Sequence, residues 1–284
     1  MPAVPVDGAA LAARIRSDLK EEIAAHGEIG LATVLVGDDP ASQVYIRLKH
    51  KAANEVGIRA IDRRLPAETT EQELVEVVEE LNEDDSVDGI LVQTPLPPQI
   101  DEARVMRTID PMKDVDGLHP FNAGQLFFGC QTLVGATPIG VMRLLDEYRI
   151  PVAGARAVVI GRSLIVGRPV AMLLLHANAT VTICHSRTED LPRHTLDADI
   201  LVVAVGQLGL VTADMVKQGA AVIDVGMNRT ETGLYGDVDA AVADVAGFLT
   251  PVPGGVGPMT IACLLENALR AARYRRGALA FPRI

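Results

Sequence analysis

"VVIGRSLIVGRPV", residues 158–170, is the stretch on which the fold turns. An apolar, β-rich run ends at Gly161 and a helix opens near Gly167 and Pro169, so the segment reads as strand, tight turn, helix. Gly161 stands where the first glycine of the dinucleotide-binding pattern G-x-G-x-x-G belongs. Ser163 and Val166 occupy the other two glycine positions, and Arg162 sits in the turn itself. Gly161 can still make the turn, Gly167 allows close approach at the helix start, and Pro169 suits a first helical turn. The free amides and the dipole at such a helix end favour a phosphate. Any β-α unit can carry one such turn, so alone it names no ligand.

The next strand narrows the choice. A NAD site usually ends its second strand in Asp or Glu, about 20 residues past the glycines, to bind the ribose 2′-hydroxyl. Here "TVTICHSRT" ends in His185, Ser186, Arg187 and Thr188. Hydroxyls and a cation in place of a carboxylate suit a 2′-phosphate, which a carboxylate would repel and an arginine would pair. Arg162 in the first turn would complete a clamp for NADP. The alternative is that both arginines are solvated loop residues.

Outward from this unit, strands and helices alternate along the whole chain. The first series comprises a helix at 11–26, strand 31–37, helix 42–57 with Ser42 as N-cap and Gly57 past its end, strand 58–63, a capped helix from Thr69 and strand 88–93. After a helix at 138–149 come strands within 155–161, 179–186, 199–206 and 220–226, with helices at 168–178 and 212–218. A long helix at 258–275 follows "TPVPGGVGP". This rhythm implies parallel β-α-β packing in an α/β fold, and the restart of the pattern puts a domain boundary near residue 140.

Length and composition agree. The 284 residues suit about two domains of roughly 150 residues each, and 49% apolar residues supply substantial cores. A net charge of −11 argues against nucleic acid or an anionic membrane as partner, so any anionic ligand must be held by a few placed cations. Cys130, Cys184 and Cys263 lie far apart with no C-x-x-C pair, which suggests neither disulfides nor zinc; they read as small core residues. The N-terminus lacks the apolar stretch of a signal peptide, and no apolar run approaches the ~20 residues of a membrane span, so a cytoplasmic location is expected.

Candidate chemistry lies in the first series. Tyr45 and Lys49 are four residues apart and share a helix face, an aromatic platform beside an amine; the same spacing also occurs as an ordinary amphipathic edge. Gln93, Asp116 in "PMKDVDGLHP" and the loop "TPVPGGVGP" stand at strand termini, though spacing does not show that they converge.

"YIRLKHKA", "DGILVQTPLP", "PMKDVDGLHPFNAGQL", "VVIGRSLIVGRP", "TVTICHSRT", "VIDVGMNR" and "TPVPGGVGPMT" occur in this order across nearly the whole chain. Together they resemble the bifunctional methylenetetrahydrofolate dehydrogenase/cyclohydrolase family. The resemblance implies two domains. An N-terminal α/β catalytic and folate-binding domain, 1–139, would be joined by the returning C-terminal helix within 258–284, and a Rossmann-type NADP-binding domain would span 140–257. It implies oxidation of 5,10-methylenetetrahydrofolate with NADP+, then hydrolysis of the methenyl product to 10-formyltetrahydrofolate, with one folate site serving both steps. A homodimer, no metal, and no nucleic-acid or membrane partner are also expected.

Carried over residue by residue, Lys49 matches the family's catalytic lysine, Gln93 the glutamine that tunes it, and Asp116 the acid that binds the pterin ring. Tyr45 matches the tyrosine that stacks on folate, and Pro253, Gly254 and Gly255 match a loop beside folate and nicotinamide. The cofactor set is Gly161, Arg162, Ser163, Gly167, Ser186, Arg187 and Gly206. A free lysine titrates near 10.4, so base work at neutral pH requires burial or a neighbour that lowers this value.

The chain departs from the family pattern at Thr94, at Gly135 and Ala136, and at Leu208 and Met227. None of these replaces a residue given catalytic work. A dehydrogenase that has lost the cyclohydrolase step would not need Lys49, Gln93 and Asp116 together. A shikimate-type dehydrogenase would leave "TPVPGGVGPMT" unexplained, and a silent dinucleotide-binding scaffold would not need both sites complete.

Overall fold

The computed structural model describes residues 2–130 and 132–282, with the backbone alone at Ala41. In chain order the elements begin β1 (Val4–Pro5), α1 (Gly8–His26), β2 (Ile29–Val36), α2 (Pro40–Val56), β3 (Ile58–Leu65), α3 (Glu71–Glu83) and β4 (Gly89–Val92). Three helices follow, α4 (Glu102–Thr108), α5 (Pro120–Phe127) and α6 (Ala136–Glu147). Then come β5 (Arg156–Ile160), α7 (Gly167–His176), β6 (Thr180–Cys184), α8 (Leu191–Thr195), β7 (Ile200–Val203) and β8 (Ala221–Asp224). A hairpin of β9 (Asn228–Thr230) and β10 (Gly233–Tyr235) precedes β11 (Phe248–Leu249) and α9 (Val256–Arg275).

Two compact units emerge: Met1–Ala13 with Thr137–Thr260, and Arg14–Ala136 with Ile261–Ile284. The first residues, expected in the catalytic domain, group instead with the dinucleotide unit. The cause is backbone pairing, because β1 adds to β11 in parallel, a contact between segments too distant in sequence for periodicity to reveal.

In that unit a six-stranded parallel sheet runs β1-β11-β8-β7-β5-β6. Counted from β5, the strands lie in the doubly wound order 2-1-3-4-5, with β1 added beyond. The order reverses between β5 and β7, and a ligand crevice opens at the carboxyl ends of the strands at such a reversal. Val158, Ile160, Leu201, Val203 and Val222 fill one core against Val211, Met215 and Val242. The expected helix at 212–218 is only a 3₁₀ turn at Ala213–Met215; both Met215 and Val216 turn inward, and the chain then bends at Gly219, where φ is 82°.

The other unit holds a three-stranded parallel sheet, β3-β2-β4. All eight residues of β2 are buried, as a central strand between helices requires. Leu74, Val78 and Leu81 of α3 pack into the same core as Val34, Ile90 and Val92. Thr70 and Glu73 form a reciprocal capping box at the start of α3. At α2 the cap is Asp39 rather than Ser42: its carboxylate accepts the Ser42 N–H at 2.7 Å, and Pro40 occupies the first turn. Gly57 ends α2 in the left-handed region, φ 92°.

Cys184 and Cys263 are buried, but Cys130 is exposed, beyond the end of the short helix α5. It is not the core residue expected. Among the described residues no cluster of metal-ligating side chains is found, and no helix is long and apolar enough to cross a membrane.

Candidate active site

Lys49 projects from α2, one turn after the half-buried Tyr45, and its Nζ donates to Oε1 of Gln93 at 3.1 Å. Gln93 sits at the carboxyl end of β4, tied to the neighbouring β2 by its backbone N–H to the Val34 carbonyl at 2.8 Å. Its own amide nitrogen donates to the Thr94 carbonyl at 2.8 Å, which fixes Oε1 toward the lysine. Burial lowers the Lys49 pKa, and the Asp116 carboxylate works against that shift. Burial raises the Asp116 pKa, with the Lys49 ammonium opposing in turn. Lysine, glutamine and aspartate therefore form one electrostatic group, assembled from a helix, a strand end and a loop.

The loop of Asp116 is held from behind. The Ile90 N–H donates to the Lys113 carbonyl at 2.7 Å, laying "KDVDG" alongside β4. Lys113 is buried at 1% exposure, and its Nζ donates to the carbonyls of Leu81, Asn82 and Asp84 at 2.9, 2.6 and 2.9 Å, closing the end of α3. Asp114 turns inward and accepts the N–H groups of Leu118 at 3.1 Å and His119 at 2.8 Å, and Nδ2 of Asn122 at 2.9 Å. Burial nonetheless raises its pKa to about 6. Gly117, at φ 63°, passes so close to the Leu133–Gly135 backbone that a Cβ would lie 2.7 Å from the Leu133 carbonyl oxygen. The first acid of the motif thus anchors the loop, and the second is coupled electrostatically to Lys49. Sequence reading had noticed only the second.

In the dinucleotide unit, a cleft of about 480 Å³ opens where the strand order reverses, between the loops after β5, β6 and β7. Gly161, Arg162 and Ser186 line it, as the sequence suggested; His185, Thr188 and Gln207 do so as well. A Cβ on Gly161 would strike the Ala204 carbonyl, and one on Gly167 the Gly161 carbonyl, so both glycines are needed for close packing. Ser163 Oγ accepts the Val166 and Gly167 N–H groups at 3.2 and 3.3 Å, and it thereby secures the start of α7. Arg187 is exposed just past the wall; its N–H donates to Nδ1 of His185 at 3.2 Å. Gly206 has φ 66°, and its N–H is taken by Asp237. Leu208 and Met227, two departures from the family pattern, are both solvent-exposed.

Pro253, Gly254 and Gly255 belong to the same unit as the cleft. Gly254 has φ 112°, its carbonyl accepts the Ala9 N–H at 2.9 Å, and a Cβ on Gly255 would lie 2.7 Å from the Pro251 carbonyl oxygen. The loop is thus closely packed beneath the start of α1.

A parallel sheet with a glycine-lined, arginine-bearing cleft at its order reversal, in one chain with a half-buried lysine, glutamine and aspartate, defines a two-unit α/β dinucleotide enzyme. The chain belongs to the tetrahydrofolate dehydrogenase/cyclohydrolase family. The family's catalytic-domain model matches residues 6–116, and its NAD(P)-binding-domain model matches residues 135–276. The bifunctional protein FolD of Paraburkholderia xenovorans is 55% identical, covering 98% of this chain and 99% of its own. The bifunctional FolD methylenetetrahydrofolate dehydrogenase/cyclohydrolase of Campylobacter jejuni has a crystal structure that superposes with TM-score 0.94 at 48% identity, over 96% of this chain and 99% of that one. The Trypanosoma brucei dehydrogenase-cyclohydrolase, solved with NADP cofactor and an inhibitor, superposes with TM-score 0.93 at 42% identity, over 99% and 100%.

Proposed function

We propose that this chain oxidises 5,10-methylenetetrahydrofolate with NADP+ and hydrolyses the methenyl product to 10-formyltetrahydrofolate. The observation that carries the reading is the half-buried Lys49 bonded to Gln93, with Asp116 in electrostatic range. Family membership supports a folate substrate.

The cleft fits the cofactor. A glycine turn without room for a Cβ, a hydroxyl at Ser186 and a guanidinium at Arg162 match a dinucleotide with a 2′-phosphate. When bound there, NADP+ accepts the hydride. The chain's own residues then orient the folate: the Tyr45 ring offers a stacking face, and the Asp116 carboxyl accepts N–H groups from the pterin amino edge. No enzymatic base is required for the oxidation, because the folate nitrogens stabilise the cation formed.

Hydrolysis does need a proton carrier. Water adds to the methenyl carbon and loses one proton to the base; as the bond to N5 breaks, the resulting hydroxyl releases its remaining proton to solvent and becomes the formyl carbonyl, N5 gains a proton, and the formyl group stays on N10. Lys49, with its pKa lowered by burial, takes the proton from water as the free amine and returns it to N5. Gln93 keeps the amine aimed at that position.

The same reading includes a cytoplasmic homodimer. The edge strand β6 exposes Ile183, and its neighbour α7 exposes Leu175, a surface suited to self-association. The exposed Cys130 thiol is compatible with a reducing compartment. The test is NADPH formation from tetrahydrofolate, formaldehyde and NADP+, with a separate assay of methenyltetrahydrofolate hydrolysis. A folded protein inactive in both assays would refute the reading, and sedimentation of the parent and Ile183→Arg tests the dimer.

A further inference from the structure

Asp237 lies outside every residue so far given a role, yet it is fully buried behind the loop after β7 that lines the cofactor cleft. Its Oδ2 accepts two successive backbone N–H groups, Val205 at 2.8 Å and Gly206 at 2.9 Å, and its Oδ1 accepts Nδ2 of Asn228 at 2.9 Å. Its carbonyl receives the Val211 N–H at 3.1 Å, so it clasps both ends of the loop after β7. Ala204, Val205, Gln207 and Leu210 of that loop form one wall of the cleft.

A second acid supports the first. Asp224, at the end of β8, accepts the N–H groups of Gly226 at 2.9 Å, Asp237 at 3.0 Å and Val238 at 3.0 Å. A Cβ on Gly226 would overlap the Asp237 carboxyl group, and one on Gly236 would overlap that of Asp224, so two glycines leave room for the two acids. Burial beside Asp237 raises the Asp224 pKa to about 6. Burying two carboxyls together is costly, and a wall that needed only to be covered would not require it.

We propose that Asp237 is a positioning residue for the dinucleotide: it fixes the Val205–Gly206 backbone as the cleft wall, with Asn228 as the donor that orients its carboxylate. Both amides point at Asp237, so Gly206 contributes its positive φ and lack of a side chain rather than an N–H to the ligand. The inference rests on the reading that this cleft takes NADP+.

Asp237→Asn leaves an oxygen for the two backbone amides but turns an NH₂ onto the NH₂ of Asn228. The double variant Asp237→Asn with Asn228→Asp restores one donor facing one acceptor at unchanged total charge. NADP+ dissociation constants are measured by calorimetry on both variants and the parent, beside methenyltetrahydrofolate hydrolysis, which consumes no dinucleotide. Asp237→Asn weakens NADP+ binding about tenfold with hydrolysis within about twofold of the parent, and the double variant returns binding to within about threefold. Parent-like NADP+ binding by Asp237→Asn overturns the inference. So does equal loss of binding and hydrolysis, or a folded double variant that still binds about tenfold more weakly. Should Asp237→Asn fail to fold, the double variant decides by the same criterion. A parent protein that binds no NADP+ while hydrolysing its substrate overturns the cofactor reading itself, and this inference with it.

Discussion

Lys49→Met separates the two activities. Methionine keeps most of the stem's bulk and removes the ammonium, so the cleanest losses are the proton carrier and the 3.1 Å bond to Gln93. Loss of a general acid–base group costs roughly 10²- to 10⁴-fold, and this applies only to hydrolysis. The second loss applies to both reactions. Gln93 Oε1 loses its donor, which costs about 1–3 kcal/mol if the group is buried. Gln93 is only half-buried and still donates through Nε2 to Thr94, so the lower part of that range applies, about 1–1.4 kcal/mol or a factor of about five to ten. Stopped-flow decay of methenyltetrahydrofolate absorbance should therefore slow by about 10³-fold or more, while NADPH formation falls by about five- to tenfold. Parent-rate hydrolysis by a folded Lys49→Met protein, or equal losses in the two assays, would refute the role given to Lys49.

Removing both arginines, Arg162→Ala with Arg187→Ala, should raise the KM for NADP+ by about ten- to a hundredfold and that for NAD+ by less than about threefold; equal effects in initial-rate assays would remove the clamp. Lys113→Met orphans three carbonyls, one deeply buried and two at its margin, and should cost about 2–4 kcal/mol in urea unfolding; a loss under about 1 kcal/mol would show that the buried charge costs as much as it stabilises. Asp114 has a folded pKa of about 6, above its unfolded value of about 3.9, so the native state binds the proton more tightly and stability falls as pH rises through this window. Against Asp114→Asn, which does not titrate, the parent should gain about 2 kcal/mol between pH 7 and pH 4; a flat difference would contradict this. The hydrolysis rate should rise as pH climbs through the depressed Lys49 pKa, because the free amine is the working form, and Asp116→Asn should move that inflection lower by removing the carboxylate that opposes the shift.

Much of this was legible in the sequence because it rests on local rules. Alternating apolar runs and capped helices located β2, α3, β5 and α9 within a few residues. The glycine turn and the acid-free end of β6 pointed to a phosphate-bearing dinucleotide, since each is a consequence of backbone geometry or charge at one strand end. The long-range pairings were not legible. Nothing in "AVPVDG" says that β1 joins β11, and nothing in "KDVDG" says which acid is buried as an anchor and which is coupled to Lys49. Those choices are made by partners outside the motif: Asn122 on the following helix for Asp114, and, from farther along the chain, the end of α3 for Lys113 and the loop after β7 for Asp237. Helix and strand periodicity reports which face of an element is apolar. Which buried polar group meets which donor depends on segments brought together only by packing, and at Lys49, Gln93 and Asp116 that meeting sets the titration on which the proposed proton transfer depends.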